Sequence, residues 1–450
     1  MVVVQNAWGK PKAWAPPARA PAPSATPVAE KRTTWAAPPA KQVFSLEQLY
    51  ADAHKQFHPI VTTPVGLVNQ GNSCFASVIL QMLVYTRPLY HFLTSLHREV
   101  PQDLSNSTPL LEAIFRFLRG IPEAPADLSL ASAQELDTAP ILPDYIFDAM
   151  RLHKRFDLLH LGHQEDAEEF FSMVLSTLHD ELLLVYQRAM QRQTGRATVQ
   201  SPALAASGVD ALCETREAQR PQSPDGDTWL EVGQKGKTSL TRTSGTLDAE
   251  SPITRMFDGK LRSILTIPGS KTSVVLEPCR TLPLDIQPPH VHAISDALRN
   301  TAVPEEISGV WSPGRNAFVE ATKHVLLEQL PPVLVLHLKR FVYDEVGGVQ
   351  KSCKNIAYPL TLDMAPEMMS ALLRTTETNL QYTLFGVVYH HGRLATGGHY
   401  TVAVMRQDGS GWIHIDDTYV SPIPTEEVLH PQKSAQLGSG QAYLLFYHRL

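Results

Sequence analysis

A chain of 450 residues, 43% hydrophobic and 19% charged, carries enough apolar side chains for at least one large core. Its net charge of -6 and pI near 6.3 supply no basic field for nucleic acid or an anionic membrane, and a mildly acidic surface suits a basic partner. Four widely spaced cysteines without a C-x-x-C pair argue against a disulfide framework and a four-cysteine zinc site, and for a reducing compartment with no metal.

The opening MVVVQNAWGKPK is apolar over too few residues for a secretion signal, and no run reaches the about 18 apolar residues of a membrane helix. The expectation is a soluble, cofactor-free protein of the cytoplasm or nucleus. Residues 1–43 hold eight of the 35 prolines in a background of Ala, Lys and Arg. Such a segment buries too little to offset its ordering entropy, so a disordered Pro/Ala-rich tail is expected. Its Trp8, Trp14 and Trp35 are either anchors for a partner or isolated aromatics.

Order is expected from about Phe44. After the loop VGLVNQGNS, the segment from Cys74 places Val78, Ile79, Met82 and Leu83 at helical spacing. PLLEAIFRFLR (109–119) predicts a second helix. A third is predicted from about Gln164 to Tyr186, with Phe170, Phe171, Val174, Leu175, Leu178 and Leu182 on one face. Glu165, Asp166, Glu168 and Glu169 crowd its first turns, in keeping with the helix dipole. Residues 187–250 or so are polar and aperiodic and read as an insertion or linker. PVLVLHLKRF (332–341), YTLFGVVYHH, GHYTVAVMR, GWIHID and AYLLFYH then read as strands. Helices first and strands later, with no βαβ alternation and no repeat, predict an α+β fold with segregated layers.

Cys74 stands where a loop enters a helix, and the positive end of a helix dipole favours the nucleophilic thiolate. Asn69 lies five residues upstream on a glycine-punctuated loop, so its amide can join backbone N–H groups in donating to an oxyanion. Gly71 lets the backbone pass close to a substrate. The bland alternative is a buried structural thiol; Cys213, in the linker, and Cys279 and Cys353, near strand edges, are read as structural or incidental.

A thiol nucleophile needs an imidazole and a group to orient it. His399 follows Gly397 and Gly398, which leave room for a narrow substrate backbone, and opens a strand. Asp416 closes the next strand, where a hairpin can bring its carboxylate to the imidazole. Asp417 points to the opposite face if the strand continues. His390 and His391 lack an Asp at hairpin spacing, and His337 sits mid-strand as a core or supporting residue. With 18 histidines in the chain, spacing alone leaves a surface or core role open for His399.

Together these segments resemble the signature boxes of the ubiquitin-specific proteases. GLVNQGNSCFASVILQ resembles the cysteine box, and YHHGRLATGGHYTVAV with GWIHIDD the histidine box. HQEDAEEFFSMVLSTLHDEL resembles the segment between them, and PPVLVLHLKRF and AYLLFYHR resemble family strands. DTWLEVGQKGKTSLTR, SPITRMFDGKLRS and LPLDIQ are similar to the ubiquitin carboxyl-terminal hydrolase 10 type and its fungal relatives, so the end of the insertion (229–250) is expected to be partly ordered.

The resemblance implies a papain-like catalytic domain over 60–450, with a helical thumb (66–186), a polar insertion (187–250), and fingers and palm strands (251–450). It implies Cys74 as nucleophile, His399 as general base, Asp416 as orienting group and Asn69 as oxyanion-hole amide. Gln164 and Asp166, with Glu168 and Glu169 beside them, would line a channel for ubiquitin's basic Gly-Gly tail. The implied partners are ubiquitin, ubiquitinated proteins and a regulatory protein on the N-terminal tail. Family fingers often hold zinc in C-x-x-C pairs, which this chain lacks, and Phe75 and Ser77 stand where the family often has Tyr and Asn. The implied activity is a deubiquitinase working through a thioester. The rivals are a non-catalytic ubiquitin-binding scaffold and an unrelated Cys-His-Asp acyltransferase.

Overall fold

The computed structural model describes residues 46–53, 55, 60–99, 107–124, 138–159, 162–193, 229–232, 238–243, 249–343, 348–393 and 397–450. The expected tail with its three tryptophans lies outside them, as does Cys213. Helices come first: α1 (Leu46–Asp52), α2 (Cys74–Tyr85), α3 (Arg87–Glu99), α4 (Pro109–Arg119), α5 (Asp144–Met150) and α6 (Ala167–Gln193). The helix expected at 109–119 has those bounds.

The third predicted helix starts later and ends later than its apolar face indicates. Asp166 sets the start, because its Oδ1 accepts from the amides of Glu168 (2.7 Å) and Glu169 (3.3 Å) and caps α6. Its last turns, QRAMQRQ, are polar, so the helix carries on after the periodic signal has stopped. The polar insertion is therefore shorter than composition suggests, and its far end contributes strands β1 (Trp229–Val232) and β2 (Thr238–Thr243).

A short α7 (Pro252–Phe257) leads into β3 (Gly259–Thr266), β4 (Ser273–Cys279) and β5 (Thr281–Leu284), then α8 (Ile294–Thr301). The hairpin β6 (Glu305–Ser312) and β7 (Ala317–Gln329) completes a six-stranded sheet in the order β1-β2-β4-β3-β7-β6. After β8 (Val333–Leu338), the short β9 (Phe341–Tyr343) and β10 (Val349–Lys351) pair with each other, and β11 (Thr361–Asp363) follows. Then come α9 (Ala371–Thr376), β12 (Gln381–His391), β13 (His399–Met405), β14 (Trp412–Asp416), β15 (Tyr419–Ile423), α10 (Thr425–Leu429) and β16 (Gln441–Arg449). The second large sheet runs β15-β14-β13-β12-β16-β8-β5, with β11 paired to β12.

This second sheet is buried on both faces, which is why its strands read as continuous apolar runs rather than alternating ones. Along β8, Val333 and Val335 enter the core shared with the helices, while Leu334, Leu336 and Leu338 enter the core behind the sheet. Every residue of α2 is buried, and Met82 fills the space that a side chain at Gly386 on β12 would take. Phe75 meets Phe170 of α6 edge-on at 5.3 Å, and Phe171 meets Phe446 of β16 at 5.4 Å. Helices and sheet are thus locked together directly beneath Cys74.

One buried charge organises the helical side. Glu181 of α6 is fully buried, and its oxygens accept from the amides of Leu110 (3.0 Å) and Leu111 (2.6 Å) at the start of α4. His153 Nε2 lies 3.0 Å from Glu181 Oε1. Burial pushes the carboxyl up, and His153 and the two amides pull it back. Glu181→Ala would strand the imidazole and both amides, so we expect a loss of about 3 kcal/mol in denaturant unfolding. A loss near zero would show that solvent replaces the carboxylate.

Candidate active site

Cys74 is the first residue of α2 and is buried. The loop before it turns through two left-handed residues, Gly71 (φ 72°) and Asn72 (φ 61°). Ser73 occupies the N-cap but its side chain makes no capping bond, and while Ala76 N donates to Ser73 O, the amides of Cys74 and Phe75 stay open to an anion. Instead, Ser73 N and Oγ both donate to Asn69 Oδ1, each at 2.9 Å. Asn72 Nδ2 donates to Gly162 O at 2.9 Å, tying this loop to the segment that leads into α6.

His399 opens β13 and Asp416 closes β14, and the antiparallel pairing of these strands brings the two together. His399 Nε2 and Asp416 Oδ1 are 2.6 Å apart, and the Cys74 thiol lies within hydrogen-bonding reach of the same ring. Asp416 and the thiol raise His399 to about 10 against the opposing effect of burial. In return His399 holds the Asp416 carboxyl below its ordinary range. His390 and His391 are pushed down to about 3 and about 4, mainly by burial, and His391 Nε2 is engaged by Thr401 Oγ1 at 2.8 Å. His337 packs edge-on against Tyr443 at 4.9 Å.

Asp417 departs from the sequence reading. The strand stops at Asp416, and Asp417 takes a left-handed conformation (φ 51°), so the alternation that would send it to the far face fails. Its Oδ2 accepts from Asn69 Nδ2 at 3.0 Å, and its carbonyl accepts from Leu67 N at 2.8 Å. One amide hydrogen of Asn69 is thereby committed, leaving the second for a substrate. Only the DD dipeptide at a strand end hinted at a second carboxylate here.

The proposed tail residues divide. Asp166 does not present a free carboxylate: Oδ1 caps α6 and Oδ2 accepts from Tyr443 OH of β16. Glu168 accepts from Ser172 Oγ at 3.2 Å. Gln164 Nε2 is buried with no hydrogen-bond partner among the described residues. Burial, then Asp166, Glu165 and Glu168, push the Glu169 carboxyl up, the sign of an acidic cluster. Gly398 (φ 144°) is required by the chain itself, since a Cβ there would lie 2.2 Å from His391 O, whereas nothing lies within 4 Å of a Cβ at Gly397. Among the described residues one group brings metal-type ligand atoms within 4.8 Å of one another: His399, Asp416 and Asp417. All three are already hydrogen-bonded as described.

The family described as ubiquitin carboxyl-terminal hydrolase matches residues 65–447. The chain belongs to this family. The hydrolase is 39% identical over 393 residues to "Probable ubiquitin carboxyl-terminal hydrolase 3" of Schizosaccharomyces pombe, covering 86% of this chain and 74% of that one. It is 35% identical over 424 residues to ubiquitin carboxyl-terminal hydrolase 10 of Rattus norvegicus, covering 92% of this chain but only 51% of the relative. The hydrolase thus spans about half the length of that relative. Its fold is similar to a chain of the SAGA Ubp8/Sgf11/Sus1/Sgf73 DUB module bound to ubiquitin aldehyde, with a TM-score of 0.59, 21% identity, and 88% and 72% of the two chains covered. Family membership makes the hydrolase a thiol-dependent deubiquitinase with the helical and sheet layers of a ubiquitin-specific protease.

The raised value of His399 means that its charged ring stabilises the fold fully below the ordinary 6.5, and that this contribution is lost as pH rises through about 10. An NMR titration should place His399 near that value and move it down in Asp416→Asn; an unchanged value would remove Asp416 as its partner. Asn69→Ala should lower kcat about 10²–10³-fold. Asp417→Ala should lower it about tenfold, and the double variant should be no worse than Asn69→Ala. Additive losses would separate the two residues.

Proposed function

We propose that the chain hydrolyses the isopeptide or peptide bond after the C-terminal glycine of ubiquitin through a thioester on Cys74. The observation that carries this reading is His399 held at 2.6 Å by Asp416, within reach of a thiol at an uncapped helix N-terminus. The thiol proton resides on His399 as Sγ attacks the glycine carbonyl carbon. The oxyanion accepts from the uncommitted Asn69 N–H and the open amides at the start of α2. Collapse breaks the C–N bond, and His399 passes its proton to the departing lysine amine. His399 then takes a proton from water, which attacks the thioester and releases Cys74.

The acidic group Glu165, Glu168 and Glu169 supports entry of a basic tail, since a cationic side chain nearby relieves the repulsion that raises Glu169. The open space at Gly397 supports passage of a Gly-Gly backbone. A regulatory protein bound through residues 1–43, and residence in the cytoplasm or nucleus, belong to the same proposal and rest on composition and family likeness. Among the described residues no helix is long and apolar enough to cross a membrane.

The test is release of a fluorophore from the C-terminus of ubiquitin, with Cys74→Ala as control. The expected outcome is turnover that vanishes in the variant, and labelling of Cys74 by a ubiquitin-based suicide probe. Folded protein that binds ubiquitin but neither turns over nor labels would sink the hydrolase reading in favour of a scaffold.

A further inference from the structure

Lys351 ends β10 and is 9% exposed, yet among the described residues no carboxylate lies within ion-pair distance of it. Its ammonium donates to three neutral oxygens: His390 O (3.0 Å), Gly392 O (2.7 Å) and Gln441 Oε1 (2.6 Å). Three donors meet three acceptors drawn from two other strands or their ends. A buried cation without a counter-charge costs stability compared with an apolar side chain, so its placement needs a reason beyond folding.

What it grips is the mouth of the connection from β12 to β13. His391 and His399 form the last paired rung, with Gly392 and Gly398 just beyond it. Gly392 (φ 101°) and Gly398 (φ 144°) pass so close that a Cβ on Gly392 would lie 3.1 Å from Gly398 Cα. A shift of the Gly392 limb is therefore transmitted across the rung to Gly398 and His399. Gln441 of β16 pairs with His390 of β12, so one ammonium joins β10, β12 and β16 at the end of the sheet that holds the imidazole.

We propose that Lys351 is a positioning residue for this site, fixing the β12–β13 mouth so that His399 stays aligned with Cys74 and the Gly397–Gly398 limb stays in place for the tail. The part concerning the tail rests on the deubiquitinase reading, whereas the alignment of His399 stands without it.

The pin is also pH-sensitive. Burial lowers Lys351 to about 8, with Cys353 favouring its charge and Arg340 opposing it. His390 and His391, which also face it, are kept neutral by burial and by neighbouring positive charge. Arg340 cannot replace the pin, because it donates elsewhere, to Ala442 O (2.6 Å), Ser352 O (3.0 Å) and Lys354 O (2.9 Å). Above its pKa the amine has two hydrogens for three acceptors, so the grip weakens as pH rises.

The experiment compares wild type, Lys351→Met and Lys351→Arg between about pH 6.5 and 9.5. It measures kcat and KM with the ubiquitin fluorophore substrate, alkylation of Cys74 by iodoacetamide read on its peptide, and melting temperature. Wild type should lose kcat with an inflection near the lysine's pKa. Lys351→Met should have kcat and Cys74 alkylation lowered together, about tenfold at neutral pH, and no such inflection. Lys351→Arg, charged throughout, should recover part of both and also lack the inflection. If Lys351→Met melts lower but keeps the wild-type kcat, alkylation rate and pH inflection, Lys351 is only structural and the proposal falls. If Lys351→Met does not fold, wild type and Lys351→Arg decide: the same inflection in both overturns it. If wild type turns over no ubiquitin substrate, the deubiquitinase reading fails while alkylation still decides whether Lys351 aligns His399.

Discussion

The nucleophile sits on a helix and its base on a sheet, far apart in the chain, so everything depends on the joint between the cysteine loop and the histidine hairpin. That joint is the turn at Asp417. Its carbonyl takes the amide of Leu67, its carboxylate takes the amide of Asn69, and the backbone of Thr418 lies against Gly66 so closely that a Cβ there would come within 2.6 Å. A glycine would adopt the left-handed turn more cheaply than an aspartate. Aspartate at that position makes sense because its side chain orients the oxyanion amide. Asn69 then passes the constraint to Ser73, whose hydroxyl is drawn away from capping α2. The open amides beside Cys74 thus follow from a hydrogen bond that starts at the end of β14.

The electrostatics of the sheet end follow a similar logic. His390, His391, His399 and His414 crowd together, and four imidazolium ions could not coexist there. Burial keeps His390, His391 and His414 neutral, and proximity to one another adds to the effect. Only His399 has both a carboxylate and a thiol as partners, so it holds the positive charge. The charge is placed by the partners of one ring and by the poverty of partners around the others.

Features set by local pattern were legible in the sequence, and features set by distant partners were not. The helix after Cys74, the helix at 109–119 and the buried strand β8 announce themselves through apolar spacing within one turn or one run. The hairpin spacing of His399 and Asp416 suggested their contact, and the family resemblance chose His399 among the histidines. Asp417 was not, because strand parity was extended one residue past a turn whose backbone reverses it. Asp166 reads as a channel acid only until Tyr443, from the last strand, takes its second oxygen. Strand β2 pairs in parallel with β4, a long-range match that a polar segment between Thr238 and Thr243 does not advertise. Lys351 lies in a stretch, VQKSCK, with no chemical signature; its three acceptors come from other strands and their ends.

The tip of the six-stranded sheet shows how far backbone contact alone can close a structure. The turns after β3 and after β6 meet there: Ser312 Oγ donates to Pro268 O at 2.6 Å, and Gly314 lies on Gly269 so tightly that a Cβ would come within 1.8 Å of its carbonyl oxygen. Two glycines at one contact permit an approach that any side chain would block. The contacts at this tip are made by a hydroxyl and by backbone atoms. The tip of the six-stranded sheet is thus fixed by shape, whereas the histidine end of the second sheet is held by a charged pair.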